Sequence, residues 1–280
     1  MTGGGWATGN WLITGASSGI GLALAEAVAR AGGRAIAATR RPETLAAVAA
    51  ALPGHLLPLN FDAGDPAAAA EAVRAAGDID VLVNNAGYGL LGAVEETDEA
   101  ELRAQLEVNF FAPAAIIRAV LPAMRARRRG VIINITSVSG LIGQPGSAYY
   151  AASKFAMEGF SEALRKEAGP LGIRAMTVEP GAVRTDFFSR SRRFAAQRIP
   201  DYALVEQRRA TEPGAVDQPG DPARCAAAIL AAIDTDPLPE QLVLGAAAAA
   251  LVETTLEARL GEVRRLTPLS QSADYPEQAP

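Results

Sequence analysis

The chain has 280 residues, 49% of them hydrophobic, and 26 basic against 31 acidic side chains leave a net charge of −5. That is enough for one large α/β domain or two small ones, and the acidic balance gives no bulk attraction to nucleic acid or to anionic membranes, so a small-molecule role is expected. The single cysteine, Cys225, excludes an intramolecular disulfide and a cysteine-based metal site, and reads as a buried helix residue in a protein of the reducing cytoplasm.

From residue 11 short apolar runs alternate with longer helical patterns. Strands are read at WLIT (11–14), RAIAAT (34–39), LLPLNF (56–61), VLVNN (81–85), VIINIT (131–136) and RAMTVE (174–179), with LVLG (242–245) as a seventh. Their apolar character is continuous rather than alternating, as in strands covered on both faces of a parallel sheet. Helices are read at 19–31, 42–51, 65–76, 97–127 and 148–168. This βαβ order predicts an α/β doubly wound parallel sheet, because parallel strands need helical crossovers, and no linker or composition break divides it. Residues 184–222 interrupt the alternation with seven arginines and scattered aromatic residues, as either a solvated excursion or a lid over a substrate. The segment from 263 reads as a surface tail or disorder. The first basic residue is Arg30, and the apolar runs at 226–233 and 245–252 fall short of the roughly 18 residues of a membrane span, so neither a leader nor membrane insertion is expected.

The first strand runs directly into GASSGIG, with Gly15, Gly19 and Gly21, and then into an apolar helix. Between the first strand and first helix of a βαβ unit such a loop suits a dinucleotide pyrophosphate: glycines admit close backbone approach, and the helix N-terminus offers N–H donors. Its spacing is G-x-x-x-G-x-G rather than the commoner G-x-G-x-x-G.

TGASSGIG, NNAG at 84–87, Ser137, YAASK at 150–154 and PGAVRTD at 180–186 together resemble the short-chain dehydrogenase/reductase superfamily in its compact NAD(P)(H)-dependent branch. The resemblance spans most of 11–250 and implies a Rossmann-type sheet in a single domain. It also implies cofactor contacts from Gly15, Ser17, Ser18, Gly19, Ile20 and Gly21. Further contacts are implied at Asn60, Phe61 and Asp62 after the third strand, and at Asn85, Ala86 and Gly87. One amide of the Asn84-Asn85 doublet is expected to hold strands together.

An acidic residue at the end of the second strand would favour NAD(H). The chain instead has Thr39, Arg40 and Arg41, two guanidinium groups able to hold a 2′-phosphate, so NADP(H) is expected with NAD(H) remaining open. Ser18 stands where many NADP-preferring relatives carry a basic residue.

Ketone reduction needs a proton donor. His55 is the only histidine and stands far from the other motifs, which leaves a phenol. Two tyrosines adjoin in AYYAASKF, and helical geometry separates them: at about 100° per residue an i,i+4 pair shares a face and an i,i+5 pair does not. Tyr150 therefore shares a face with Lys154, whose charge should lower the phenol's pKa, while Tyr149 is read as a packing residue. The resemblance adds ribose binding to Lys154. It makes Ser137 the partner of Tyr150 at the substrate oxygen, with Ser139 as a rival, and it makes Asn109 the residue fixing a helix distortion. After the sixth strand, Pro180, Gly181, Val183 and Thr185 are implied to cover the nicotinamide and expose one face, for pro-S transfer.

GYGLLGAVEE (87–96) and the helix around Tyr150 look most like the branch holding 17β-hydroxysteroid and retinol dehydrogenases. The expected pocket wall is Tyr88, Leu90, Leu91, Leu141, Ile142, Phe187 and Phe188, suited to a hydrophobic ketone or secondary alcohol, although the arginines of 184–209 would favour an acidic one. A dehydratase or epimerase, and a nucleotide-sensing protein without turnover, are the competing readings. Homo-oligomers, dimer or tetramer, are common in the family through helices near 97–127 and 148–168.

Overall fold

The computed structural model describes residues 5–65, 67–188, 191–211 and 217–275, without the side chains of Phe188 and Thr211. Its chain order is β1 (Asn10–Thr14), α1 (Gly19–Arg30), β2 (Arg34–Thr39), α2 (Ala46–Ala51), β3 (Leu56–Asn60), α3 (Ala68–Ala76), β4 (Val81–Asn84) and β5 (Gly89–Leu91). Then come α4 (Glu99–Leu106), α5 (Ala112–Arg127), β6 (Gly130–Ile135), α6 (Ala148–Ala168), β7 (Ile173–Pro180) and β8 (Arg192–Phe194). The last elements are α7 (Ala203–Thr211), α8 (Pro222–Ile233), β9 (Gln241–Leu244) and α9 (Ala246–Gln271).

Seven strands form one parallel sheet in the order β3-β2-β1-β4-β6-β7-β9, so the expected doubly wound architecture is present. Successive strand residues point to opposite faces, and both faces are covered. Trp11, Ile13, Val81, Val83, Val131 and Ile133 pack with α1 and α8 on one side. Leu12, Ile36, Leu82 and Ile132 pack with α3, α5 and α6 on the other. This two-sided burial is why the strands read as unbroken apolar runs.

Strand order reverses between β1 and β4, which opens a crevice at their C-terminal ends. Helix 97–127 is not continuous α-helix: a π turn, Glu107–Phe111, lies between α4 and α5. The segment Glu99–Arg127 is long and apolar enough, by length and composition, to cross a membrane. Its apolar residues Ile116, Ile117, Val120 and Met124 are buried against the sheet. The expected tail from 263 is instead helical to Gln271 and continues α9 with Pro268 inside it.

The excursion has structure of its own. β8 pairs with β5 in a parallel two-stranded ladder absent from the sequence reading, and α7 follows it. Glu96 pins this region. Its carboxylate, 1% exposed, accepts from Ala93 N at 2.8 Å, Ile199 N at 2.7 Å and Arg209 Nη2 at 2.6 Å. Burial works against its charge, yet the two backbone donors and the guanidinium hold its pKa below the usual carboxylate value. Glu96→Ala removes one partner of a buried ion pair, so it is expected to cost about 3 kcal/mol in urea unfolding and to speed proteolysis within 192–211. A loss below about 1 kcal/mol, the range of an exposed pair, would refute this pinning role.

Candidate active site

The mouth of the crevice is set by a reciprocal clamp between β1 and β4. Thr14 Oγ1 accepts from Asn85 N and Ala86 N, each at 3.0 Å, and Asn85 Nδ2 donates to Thr14 O at 3.0 Å and Gly15 O at 3.1 Å. The other half of the doublet, Asn84, donates to Asn134 Oδ1 on β6 at 2.8 Å and so ties neighbouring strands. At the clamp there is no room for side chains. A Cβ on Gly15 (φ +64°) would meet Ala86 Cα at 2.8 Å, and one on Gly21 would meet Asn85 Nδ2 at 2.4 Å. Gly19 (φ +57°) lies against Thr185.

A cavity of about 790 Å³ opens there. From the expected cofactor set, Gly15, Ser17, Ser18, Gly19, Ile20, Thr39, Arg40, Phe61, Asp62, Asn85, Ala86, Gly87, Pro180, Gly181, Val183 and Thr185 line it. Gly21, Arg41 and Asn60 do not: Gly21 is packed beneath Asn85, while Arg41 and Asn60 are exposed. The glycine cradle, closed to any Cβ, fits a phosphate that must approach backbone N–H groups at the start of α1.

Ser137, Tyr150 and Lys154 share that cavity. Tyr150 and Lys154 come from one face of α6, and Ser137 ends the segment after β6. The Ser137 hydroxyl stands near enough to the Tyr150 phenol to favour its ionised form, and Ser137 Oγ accepts from Ser139 N at 3.1 Å. Lys154 Nζ donates to Ile135 O at 3.0 Å and lies 5.9 Å from the Tyr150 ring centre. The expected lowering of the phenol's pKa is not found. Burial pushes Tyr150 up, and the Ser137 hydroxyl and the Arg192 charge pull back only in part. Burial also pushes Lys154 down to about 8 against the opposing Glu158 carboxylate. Desolvation thus outweighs the helix-face charge that the sequence places beside the phenol. Tyr149 points elsewhere, its hydroxyl 3.4 Å from Val94 O.

Asn109 sits in the π turn and does not line the cavity. Its Nδ2 donates to Tyr88 O and Ser153 Oγ, both at 3.0 Å, and its Oδ1 accepts from Tyr88 N at 3.1 Å. Gln105, which the sequence reading missed, joins it: Nε2 donates to Tyr88 O at 2.7 Å and Oε1 accepts from Leu90 N at 2.8 Å. Its signal was present, since a second amide four residues before Asn109 shares its helix face.

Of the expected substrate wall, Tyr88, Leu91 and Phe187 line the cavity. Leu90 and Leu141 are buried in packing and Ile142 is half-buried, all three outside the lining, because apolar residues beside a site are claimed first by the core. The Phe188 side chain lies outside the described residues. The wall includes residues the sequence reading passed over: Ala104, Val108, Gln144, Arg192, Arg193, Arg208 and Leu251. Only the density of arginines between 184 and 209 hinted at three of them.

A family model described as short chain dehydrogenase matches residues 10–196. Oxidoreductase calM of Penicillium decumbens is 34% identical over 284 aligned positions, covering 94% of this chain and 92% of its own. A short-chain dehydrogenase from Streptomyces avermitilis superposes with a TM-score of 0.88 at 40% identity, covering 95% of this chain and 98% of its own. One from Burkholderia cenocepacia, in complex with NADP, superposes with a TM-score of 0.73 at 27% identity, covering 95% and 99%.

The buried ammonium has a measurable cost. A pKa drawn from 10.5 to about 8 corresponds to roughly 3 kcal/mol of disfavoured charge. Folding binds that proton less well than the unfolded chain does, so the penalty is full below about pH 8 and fades as pH rises through 8 to 10.5. Lys154→Met should therefore raise stability by roughly 1–3 kcal/mol at pH 7 while abolishing turnover, and that gain should shrink by pH 10. A variant less stable than the wild type at pH 7 in chemical denaturation would contradict it.

Proposed function

The chain belongs to the short-chain dehydrogenase family and is an oxidoreductase, and on that premise we propose that it transfers hydride between NADP(H) and a hydrophobic ketone or secondary alcohol, with Tyr150 as general acid and base. One observation carries the reading: a single cavity holds the glycine cradle together with Ser137, Tyr150 and Lys154. Binding and chemistry then share one domain.

When bound, the reduced nicotinamide supplies a hydride to the carbonyl carbon. The backbone from Gly15 to Ile20 would receive the pyrophosphate, and Asp62 and Asn85 to Gly87 would border the adenosine side. Arg40, which lines the cavity where no carboxylate ends β2, would hold a 2′-phosphate; the NADP-bound structural relative supports that preference. Lys154 would hold the nicotinamide ribose, and the loop from Pro180 to Thr185 would cover the ring.

In reduction, Tyr150 gives its hydroxyl proton to the carbonyl oxygen as the C=O π pair moves onto that oxygen, and Ser137 orients it. The resulting tyrosinate, with a proton affinity raised by burial, takes a proton downhill from Lys154 at about 8. Among the described residues Lys154 Nζ donates to Ile135 O rather than to the Tyr150 hydroxyl, so the transfer would run through a bridging hydroxyl or water. Alcohol oxidation runs these transfers backwards. Asn109 and Gln105 act by holding the Tyr88 backbone, and Leu91, Val108 and Phe187 supply an apolar wall. Self-association through α5 and α6 would cover Phe111 and Phe155, which are 52% and 38% exposed.

Tyr150→Phe should leave NADPH binding, read by cofactor fluorescence, nearly unchanged and lower carbonyl reduction by roughly 10²–10⁴-fold, while Tyr149→Phe keeps most activity. Turnover surviving in Tyr150→Phe would sink the mechanism. Arg40→Ala should raise KM for NADPH far more than KM for NADH, with a smaller effect from Arg41→Ala. Equal effects on both cofactors in Arg40→Ala would refute the 2′-phosphate contact.

A further inference from the structure

One buried acid beside the cavity has no part in the hydride transfer. Glu179, which precedes the cavity-lining Pro180 on β7, is 0% exposed, and neither of its oxygens has a hydrogen-bond partner among the described residues. An ionised carboxylate so placed would carry its desolvation cost with little to offset it, so the acid keeps its proton. That proton needs an acceptor.

The sheet decides where the acceptor can stand. Along β7, Ile173 and Ala175 pack on the side of α3, α5 and α6, while Met176 and Val178 pack on the side of α1 and α8. By the two-residue period of a strand, Glu179 points toward α6. There α6 presents Glu158. Its carboxylate accepts from Thr136 Oγ1, which also lies 3.1 Å from Val178 O, and Gln241 Nε2 donates to it at 3.4 Å from β9, where Gln241 stands opposite Thr177. Glu158 is thus held over the stretch from Thr177 to Glu179. Gly140 makes the room: a Cβ there would meet Glu158 Cγ at 3.0 Å and Oε1 at 3.1 Å.

The surroundings of the two acids are mostly neutral, with Thr136 from β6, Thr177 from β7 and Gln241 from β9. On α6 itself, Arg165 is engaged by Glu240, whose carbonyl and carboxylate lie at 3.1 Å and 3.7 Å. That leaves Lys154, one helical turn from Glu158 on the same face. Burial and then the Glu158 charge push Glu179 upward, while Thr177 and the Leu242 backbone pull back only in part.

We propose that Glu179 donates its proton to Glu158, so that the two acids hold one negative charge between them, and that Glu158 is a positioning residue that keeps the Lys154 ammonium charged. The Glu158 charge opposes the effect of burial on Lys154. When Lys154 passes its proton to the tyrosinate, the remaining charge favours the return of a proton to the amine, and the proton between the acids stays where it is. This role in turnover rests on the oxidoreductase reading above; the pairing of the acids does not.

The chain has two lysines, Lys154 and Lys166, so isotope labelling at lysine Cε gives one NMR signal from the site and one from an exposed reference. Titration of the whole protein should place Lys154 near pH 8 in the wild type and about one pH unit or more lower in Glu158→Gln, with Lys166 unmoved. In Glu179→Gln, whose amide still donates to Glu158, the Lys154 midpoint should stay near that of the wild type. Infrared spectra at pH 7 should show the C=O stretch of a protonated carboxylic acid in the wild type and lose it in Glu179→Gln. No acid stretch in the wild type, its persistence in Glu179→Gln, or an unmoved Lys154 midpoint in Glu158→Gln overturns the proposal. The wild-type spectrum needs no variant, and the two acids lie on different elements, so a folding failure in one variant leaves the rest to decide. Neither readout needs turnover, so failure of the oxidoreductase reading, decided by Tyr150→Phe, is seen separately.

Discussion

The hydroxyl of Thr14 is the smallest part of this molecule on which the rest depends. It accepts two backbone N–H groups from the strand beyond the reversal of strand order, and Asn85 returns two bonds to the chain leaving β1. Losing the hydroxyl would leave two backbone donors unpaired at about 1–3 kcal/mol each. The clamp also fixes how close the two strand ends come, and hence why Gly15 and Gly21 tolerate no side chain. The glycine cradle follows from strand spacing rather than from a flexible loop.

Around the cavity floor, polar groups hold their charges poorly. Tyr150, Lys154 and Glu158 follow one another at four-residue intervals on α6. Thr136 donates to Glu158, and Glu179 beneath it is pushed up by burial and by the Glu158 charge. The phenol resists losing its proton, the ammonium gives its proton up readily, and the Glu179 carboxyl favours keeping its own. Such a stripe costs stability and is suited to moving protons, a trade common where chemistry is done.

Much of this was legible in the sequence. Burial on both sides of the sheet leaves unbroken apolar runs, and the 3.6-residue period was enough to choose Tyr150 over Tyr149 as the partner of Lys154. What was not legible depends on distant partners. β5 and β8 are three residues each and exist only because Gly89–Leu91 meets Arg192–Phe194. Helix-face reasoning finds which charges are neighbours but not how dry they are, so the direction of the Tyr150 shift was missed. Leu90, Leu141 and Ile142 were apolar and near the motifs, and periodicity cannot tell a core contact from a cavity wall. The continuation of α9 past 263 was hidden by Pro268, a residue that normally argues for a break.

The π turn at Glu107–Phe111 has a geometric consequence for how the long helix serves its neighbours. One residue more than an α-helical turn requires rotates everything before it by about 100° relative to everything after it. α5 can then keep Ile116, Ile117, Val120 and Met124 on the sheet, while α4 turns Gln105 toward the Tyr88 backbone. A straight helix would have to choose between the two faces. Asn109, at the centre of the turn, works as a phase shifter, joining a segment dedicated to the core and one dedicated to the cavity rim without a loop between them.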